Sequence, residues 1–365
     1  MRFGWWPRGT GNKTASYRLR CAQIVQELQR RDVDCGVWAS GLSAPSVLVL
    51  SKRYDAESLR VATEMRREFG TRLVLDLCDN HFYASDSDPA WQRRADLLRH
   101  AVNSVDTVIA STPALAEVMR GECSDSVPIE MVGDAAELPD TLVGSSGVSG
   151  LFAEWRLGAL ARKLAKLVPD KNRRLVWFGK HASRYADGGM SDLNSVLRNI
   201  EHLHAQQPIH LTVISNSRKT YQRVMKGCDI PVSYLSWNAR TFSRALRIHG
   251  TCVIPIGSNP FTVCKTNNRV ATALLHDLSV VADSIPSYEE FDNFVSLNDW
   301  ERGLSESTAG ARGVSTRSQS GASFIRREYS LEAISQRWLE VLSGVELLAV
   351  SSASASPTAP LTAVN

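Results

Sequence analysis

The chain has no Cys-x-x-Cys pair. Its seven cysteines, Cys21, Cys35, Cys78, Cys123, Cys228, Cys252 and Cys264, are odd in number and scattered along 365 residues. That spacing argues against a disulfide framework or a zinc ribbon and suits free thiols in a reducing compartment. No apolar run approaches the roughly 20 residues of a membrane span. The opening MRFGWWPRGTGNKT lacks the apolar stretch of a secretory signal. A cytoplasmic protein is expected, with peripheral contact at the inner face of the membrane left open. Neither sign of charge dominates: 42 Lys and Arg stand against 38 Asp and Glu, a formal net charge of +4. Such a balance suits an anionic ligand without demanding nucleic acid, and no nucleic-acid partner is expected.

Two well-known signatures are present only in part. A phosphate-binding P-loop needs Gly-x4-Gly-Lys-Ser/Thr. Before Lys13 and Thr14, the glycine positions hold Pro7 and Asn12. An Asp-x-Asp metal motif exists at Asp86 and Asp88, but in a polar loop before Pro89 and not directly after a strand. It reads as a turn, so no metal and no resident cofactor is expected.

What is present is ordinary globular composition, 43% hydrophobic and 22% charged, arranged as alternating short apolar runs and amphipathic stretches. Strands are expected at 2–6, 47–50, 72–77, 107–110 and 129–132. After residue 150 they recur at 175–178, 210–215, 232–235, 251–256 and 280–282. Helices fall between them, among them 57–69, 91–102, 113–119, 191–203, 219–225, 242–248 and 267–275. Tyr17, Cys21, Ile24, Val25 and Leu28 share one face of the first helix. This alternation predicts an α/β fold with two Rossmann-like, doubly wound parallel-sheet domains. The boundaries are 1–137, a linker at 138–150, 151–330, a closing helix at 331–345 and a disordered tail at 346–365.

Ligands of open parallel sheets bind beyond the carboxyl ends of the strands, so the residues there are the candidates. After the strand at 251–256 come a small-residue loop and then Lys265, with Asn267, Asn268 and Arg269 opening a helix. Cations in a first turn oppose the helix dipole unless an anion is held there. The strand at 72–77 runs into Asp79 and His81, candidates for a general base; Asp76, inside the apolar run, reads as structural. Lys180, His181 and Arg184 follow Gly179 and offer a second cationic group. The loop from Gly9 to Arg18, with Gly11 and Asn12, joins the first strand to the first helix.

The segment from Thr251 to Ala282 resembles the donor-binding region of GT-B glycosyltransferases, close to the family 4 (group 1) Leloir enzymes of polysaccharide biosynthesis. The resemblance rests on Lys265-Thr266-Asn267-Asn268-Arg269, the apolar helix that follows, Ser279-Val280-Val281-Ala282 and Tyr288. Trp177-Phe178-Gly179, Val213-Ile214-Ser215, Leu235-Ser236-Trp237-Asn238 and Ser111-Thr112-Pro113 are similar in order, so the likeness spans about residues 9–342. It departs where retaining members carry two acidic residues eight positions apart: here these are Cys264 and Thr272. The family's Gly and Pro after the helix are Asp277 and Ser279.

The resemblance implies the GT-B arrangement, two such domains facing across a cleft, and metal-independent transfer of a sugar from a nucleotide diphosphate sugar. The acceptor would be a glycan, a lipid-linked molecule or a small molecule. Gly179, Lys180, Ser215, Ser236, Asn238, Lys265, Asn267, Asn268 and Arg269 would then bind the donor from the second domain. Gly11, Asn12 and Arg18 would bind the acceptor from the first. Asp79, His81 and Lys265 would be catalytic. A sugar-nucleotide epimerase on the same fold, and a non-catalytic sugar or polyanion-binding protein, are the alternatives.

Overall fold

A computed structural model describes residues 2–11, 14–83, 89–139, 148–180, 188–310 and 312–354. Asn12, Asp86, Asp88, His181 and Arg184 lie outside the described residues.

The first sheet holds β1 (Phe3–Pro7), β2 (Cys35–Val37), β3 (Val47–Ser51), β4 (Arg72–Leu77), β5 (Thr107–Ala110) and β6 (Ile129–Met131). All pairs are parallel, in the order β2-β1-β3-β4-β5-β6. After β1 the chain forms α1 (Ala15–Tyr17), a π-helical turn over Arg18–Ala22, and α2 (Gln23–Arg30). The other crossovers carry α3 (Ala56–Phe69), α4 (Pro89–Val102) and α5 (Pro113–Arg120). Helices on both faces explain the unbroken apolar run of β3. Leu48 and Leu50 pack against Leu59, Ala62 and Leu98. Val47 and Val49 point the other way, toward Ile24, Leu28 and Trp338. Local chemistry sets the helix ends. Asp55 caps α3 through the Ser58 N–H, and Gly70 closes it with a φ of 70°.

The second sheet is also all parallel, in the order β12-β11-β10-β7-β8-β9. Its strands are β7 (Arg174–Phe178), β8 (His210–Ser215), β9 (Val232–Ser236), β10 (Thr251–Ile254), β11 (Ser279–Ala282) and β12 (Ser296–Leu297). Around it lie α6 (Val148–Leu167), α7 (Leu197–Gln206), α8 (Arg218–Val224), α9 (Phe242–Arg247), α10 (Asn268–Leu275), α11 (Trp300–Ala309) and α12 (Arg312–Glu328). The chain then returns to the first domain. The final helix, α13 (Leu331–Ser354), lays Ile334, Trp338 and Leu342 on the face of the first sheet that carries Phe3 and Trp5.

Several expected boundaries move. The tail expected from 346 is helical as far as Ser354, as a continuation of α13. The linker expected at 138–150 gives way to α6 at Val148. The helix expected at 191–203 is a 3-10 segment, Gly189–Ser195, followed by α7. The short edge strands β2 and β12 and the helices α11 and α12 are additions. No described helix is long and apolar enough to cross a membrane.

Candidate active site

The carboxyl ends of the two sheets meet. Asn80, just beyond β4, donates through Nδ2 to the Pro260 carbonyl at 2.8 Å. Thr112, after β5, accepts the Leu115 N–H as the cap of α5 and donates to the Cys264 carbonyl at 3.2 Å. Cys264 itself is buried in the apolar core of the first domain. The loop after β10 therefore docks onto the first domain, and its own bonds hold its shape. Asn259 Oδ1 accepts the N–H groups of Phe261 and Thr262 at 3.0 and 2.9 Å, while Thr262 Oγ1 donates to the Gly257 carbonyl at 2.6 Å.

At this junction Asp79 receives two ammonium groups. Lys52 pairs with Oδ2 and Lys265, from the opposite domain, with Oδ1. Lys265 also lies 3.9 Å from the centre of the Phe261 ring. Lys52 follows β3 directly and holds a left-handed backbone, with a φ of 52°. A bulky residue there is uncommon and costs energy, and such strain concentrates at functional sites. Burial alone would raise the Asp79 carboxyl. Lys52, Lys265 and His81 outweigh it and hold Asp79 well below the usual carboxylate range.

His81 is buried beside this pair. Its Nδ1 lies 2.9 Å from the Tyr54 hydroxyl and 2.8 Å from an Arg94 guanidinium nitrogen that is also 3.1 Å from Nε2. Burial, then the charges of Lys52, Arg94 and Lys265, push its pKa well below the usual 6.5, with Asp79 opposing only in part. The ring is neutral at physiological pH. Asp79 is the expected proton acceptor, with His81 in reserve, and both stand where the two sheets meet.

The other expected residues divide. Lys265 and Arg269 flank the start of α10, whose cap residue Asn267 makes no side-chain cap bond. Arg269 stands near the Tyr288 hydroxyl and the Asp192 carboxylate. Asn267 and Asn268 turn their side chains to different partners. Asn267 donates to Glu290 at 3.1 Å, and Asn268 crosses to Asp134 of the first domain at 2.5 Å. Asp134 in turn takes Arg20, at 2.8 Å. Arg20 is fully buried, and it also grips Asp76 at 2.6 Å, so the Asp76 carboxylate is engaged inside the core.

Arg18, expected to face the acceptor, forms a two-pronged pair with Glu137 at 2.6 and 2.9 Å. Ser215, at the end of β8, is buried and donates to the Gly179 carbonyl at 2.8 Å, beside the turn after β7. Asn238 accepts from the Arg240 N–H. Ser236, Lys180 and Gly11 are exposed at strand ends or in the first loop. Asp277, at the position where the resembling family has Gly, adopts a φ of 60°, the backbone that explains the family's choice.

Lys52, Tyr54 and Arg94 were missed by sequence reasoning. Lys52 and Tyr54 follow β3, and the strand-end rule alone could have found them. Among the described residues, no three His, Cys, Asp or Glu side chains stand close enough to hold a metal ion.

Solved structures share this arrangement. HepE (Alr3699) of Anabaena in complex with UDP has a TM-score of 0.62 at 12% identity, over 94% of this chain and 100% of that one. Sucrose-phosphate synthase of Thermosynechococcus elongatus has a TM-score of 0.58 at 14% identity, over 83% of this chain and 74% of that one. The fold is GT-B. A mutant form of TarM from S. aureus, in complex with fondaparinux, alpha-GlcNAc-glycerol and UDP, gives 0.56 at 12% identity over 87% of this chain. This GT-B chain spans 58% of the TarM length. No protein-family model and no curated protein matches the sequence.

Proposed function

We propose that the chain transfers a sugar from a nucleoside diphosphate sugar to a hydroxyl acceptor in the cleft. The observation that carries this reading is the Lys52–Asp79–Lys265 cluster where the two sheets meet, beside the open first turn of α10. The bond that breaks joins the anomeric carbon to a phosphate oxygen, so negative charge grows on the leaving diphosphate. Lys265, Arg269 and the backbone N–H groups at the start of α10 are the donors that meet that charge. Asp79 is a positioning residue in this reading. It holds Lys265 at the cleft until a diphosphate, with more charge, replaces it as partner. An inverting transfer needs a base on the acceptor hydroxyl; with Asp79 as a tether this reading assigns none, so it goes with retention of anomeric configuration.

The test is thermal unfolding with UDP and UDP-sugars, followed by turnover with and without candidate acceptors. UDP should raise the melting temperature, and donor should be consumed only when an acceptor is present. Consumption without acceptor would point to the epimerase. Turnover should persist in EDTA; loss with EDTA and rescue by Mn²⁺ would return Asp86 and Asp88 to consideration. NMR of the product should show the donor's anomeric configuration, and an inverted product defeats the role given to Asp79.

The same reading extends to a membrane surface. The first turns of α6 expose Leu151, Phe152 and Trp155, at 62%, 51% and 63%. The two rings stack at 5.8 Å, and Arg156 lies 4.3 Å from the centre of the Phe152 ring. Arg162, Lys163 and Lys166 are exposed farther along the helix. Aromatics beside cations suit the headgroup layer of an anionic membrane.

A further inference from the structure

The chain crosses between the domains twice, outward along residues 132–137 and back at Tyr329. The two crossings are bonded to each other, since the Ala136 N–H donates to the Tyr329 carbonyl at 2.8 Å. The first turn of α10 is fastened to both. Asn267 Nδ2 donates at 3.1 Å to Glu290 Oε1, which also accepts the Tyr329 hydroxyl at 2.5 Å. Asn268 Nδ2 donates to Asp134 Oδ2 on the outward crossing at 2.5 Å.

Asp134 is itself held from inside the first domain. Its other oxygen accepts Arg20 Nη1 at 2.8 Å, and the same nitrogen donates to the Val132 carbonyl at 2.8 Å. Arg20 Nε and Nη2 both donate to Asp76 Oδ1, at 2.9 and 2.6 Å, and Ser51 donates to Asp76 Oδ2 at 2.9 Å. Polar bonds thus run without a break from β3 and β4, through Arg20 and Asp134, to the first residue of α10. Arg20 and Asp76 are fully buried and Asp134 nearly so. Burying three charges adds little net stability over well-packed apolar side chains. What it gives here is fixed geometry. Every guanidinium nitrogen of Arg20 is bonded, and Asp134 keeps one oxygen for Arg20 and one for the opposite domain. An ionised acceptor strengthens that outermost bond, and a carboxylate suits the positive end of a helix dipole.

Resting on the transferase reading above, we propose that Asp134, acting through Asn268, is a positioning residue for sugar transfer. It holds the first turn of α10, where the leaving diphosphate is received, in register with the first domain, which carries the acceptor. Nucleotide affinity comes from the second domain's own groups. Transfer also requires that the two domains present donor and acceptor at the right distance, and a misplacement of about 1 Å can cost on the order of 10²-fold in rate. Loss of the Asn268–Asp134 bond therefore spares nucleotide binding and slows transfer.

Asn268→Ala in the full chain is the deciding variant, because it leaves the bonds among Arg20, Asp76 and Asp134 in place. Calorimetry should find UDP affinity within about twofold of the wild type, while kcat falls about tenfold or more and donor KM hardly moves. Asp134→Ala, if it folds, should lose as much, and the double variant little more than either. Unchanged kcat in Asn268→Ala overturns the proposal. So does a UDP affinity that falls in step with kcat, which would make Asn268 a direct donor ligand. Hydrogen exchange reads the same bond without turnover. In Asn268→Ala the amides of residues 132–137 and of the first turn of α10 should exchange faster together, and unaltered exchange at 132–137 overturns the proposal as well. If the wild type neither binds UDP nor consumes a donor, the transferase reading fails on its own, and coupled exchange still supports the hold of Asp134 on α10.

Discussion

At the scale of single residues, the site turns on one carboxylate shared by two lysines. Lys265→Ala removes the cation assigned to the leaving group, so donor KM should rise and kcat fall. The loss in kcat/KM should be about 2–4 kcal/mol, comparable to deleting one preorganised transition-state donor. Unchanged kinetics in a folded variant would remove Lys265 from the donor site. Asp79→Asn then decides what Asp79 does. A tether acts only through the lysine it holds, so the double variant should lose little more than Lys265→Ala alone. The two single losses should fail to add by about 0.5–3 kcal/mol. A general base acts on the acceptor independently and typically contributes about 10²–10⁴-fold. Full additivity, with a loss of that size confined to kcat, would therefore falsify the tether and restore the base.

At the scale of elements, α6 offers the clearest separate test. Co-sedimentation with vesicles rich in anionic lipid should retain the wild-type chain, and Phe152→Ser with Trp155→Ser should release it. Both rings are exposed, so the unfolding midpoint should hardly move. Equal retention of both proteins would discard the membrane reading. Elements also mark how far the sequence could be read. β3 and β4 were legible because strands buried on both faces are continuous apolar runs. Asp79 was legible because it stands just past a strand end, and Lys265 because it precedes a helix start at the same end of its sheet. α12 was not, because its buried positions include Val314, Ser318, Gly321, Ala322 and Ile325, too small and polar to form an apolar stripe. Lys52 stands at a strand end and was overlooked there, while Arg94 lies within α4, where neither strand-end position nor periodicity marks it. Asp79 and Lys265 are 186 residues apart, and no periodicity encodes that meeting.

At the scale of the whole molecule, the two domains are stitched by polar bonds as well as apolar docking, and the fold as a whole responds to pH in a defined direction. His210, His249 and His276 are buried in the second domain, and the first two couple folding to pH. His249 donates from Nδ1 to the Ala245 carbonyl at 2.7 Å and accepts the Thr212 hydroxyl at 2.8 Å. Burial lowers its pKa to about 3, and burial followed by the charge of Lys163 lowers that of His210 to about 4. In the unfolded chain both return to about 6.5. Above that pH both are neutral in either state, and stability is at its full value. Below it the unfolded chain binds protons that the folded one refuses, so stability falls as pH drops toward 4. Each histidine adds up to about 1.4 kcal/mol per pH unit to that slope. Asp79, whose folded pKa is depressed, adds in the same direction only below about pH 4. Urea unfolding at pH 7.5, 6 and 5 should show the midpoint falling with pH. His249→Asn should flatten the slope by one proton, even if it lowers the midpoint overall. A wild-type slope that survives His249→Asn would mean that the burial of His249 is not what couples folding to protons.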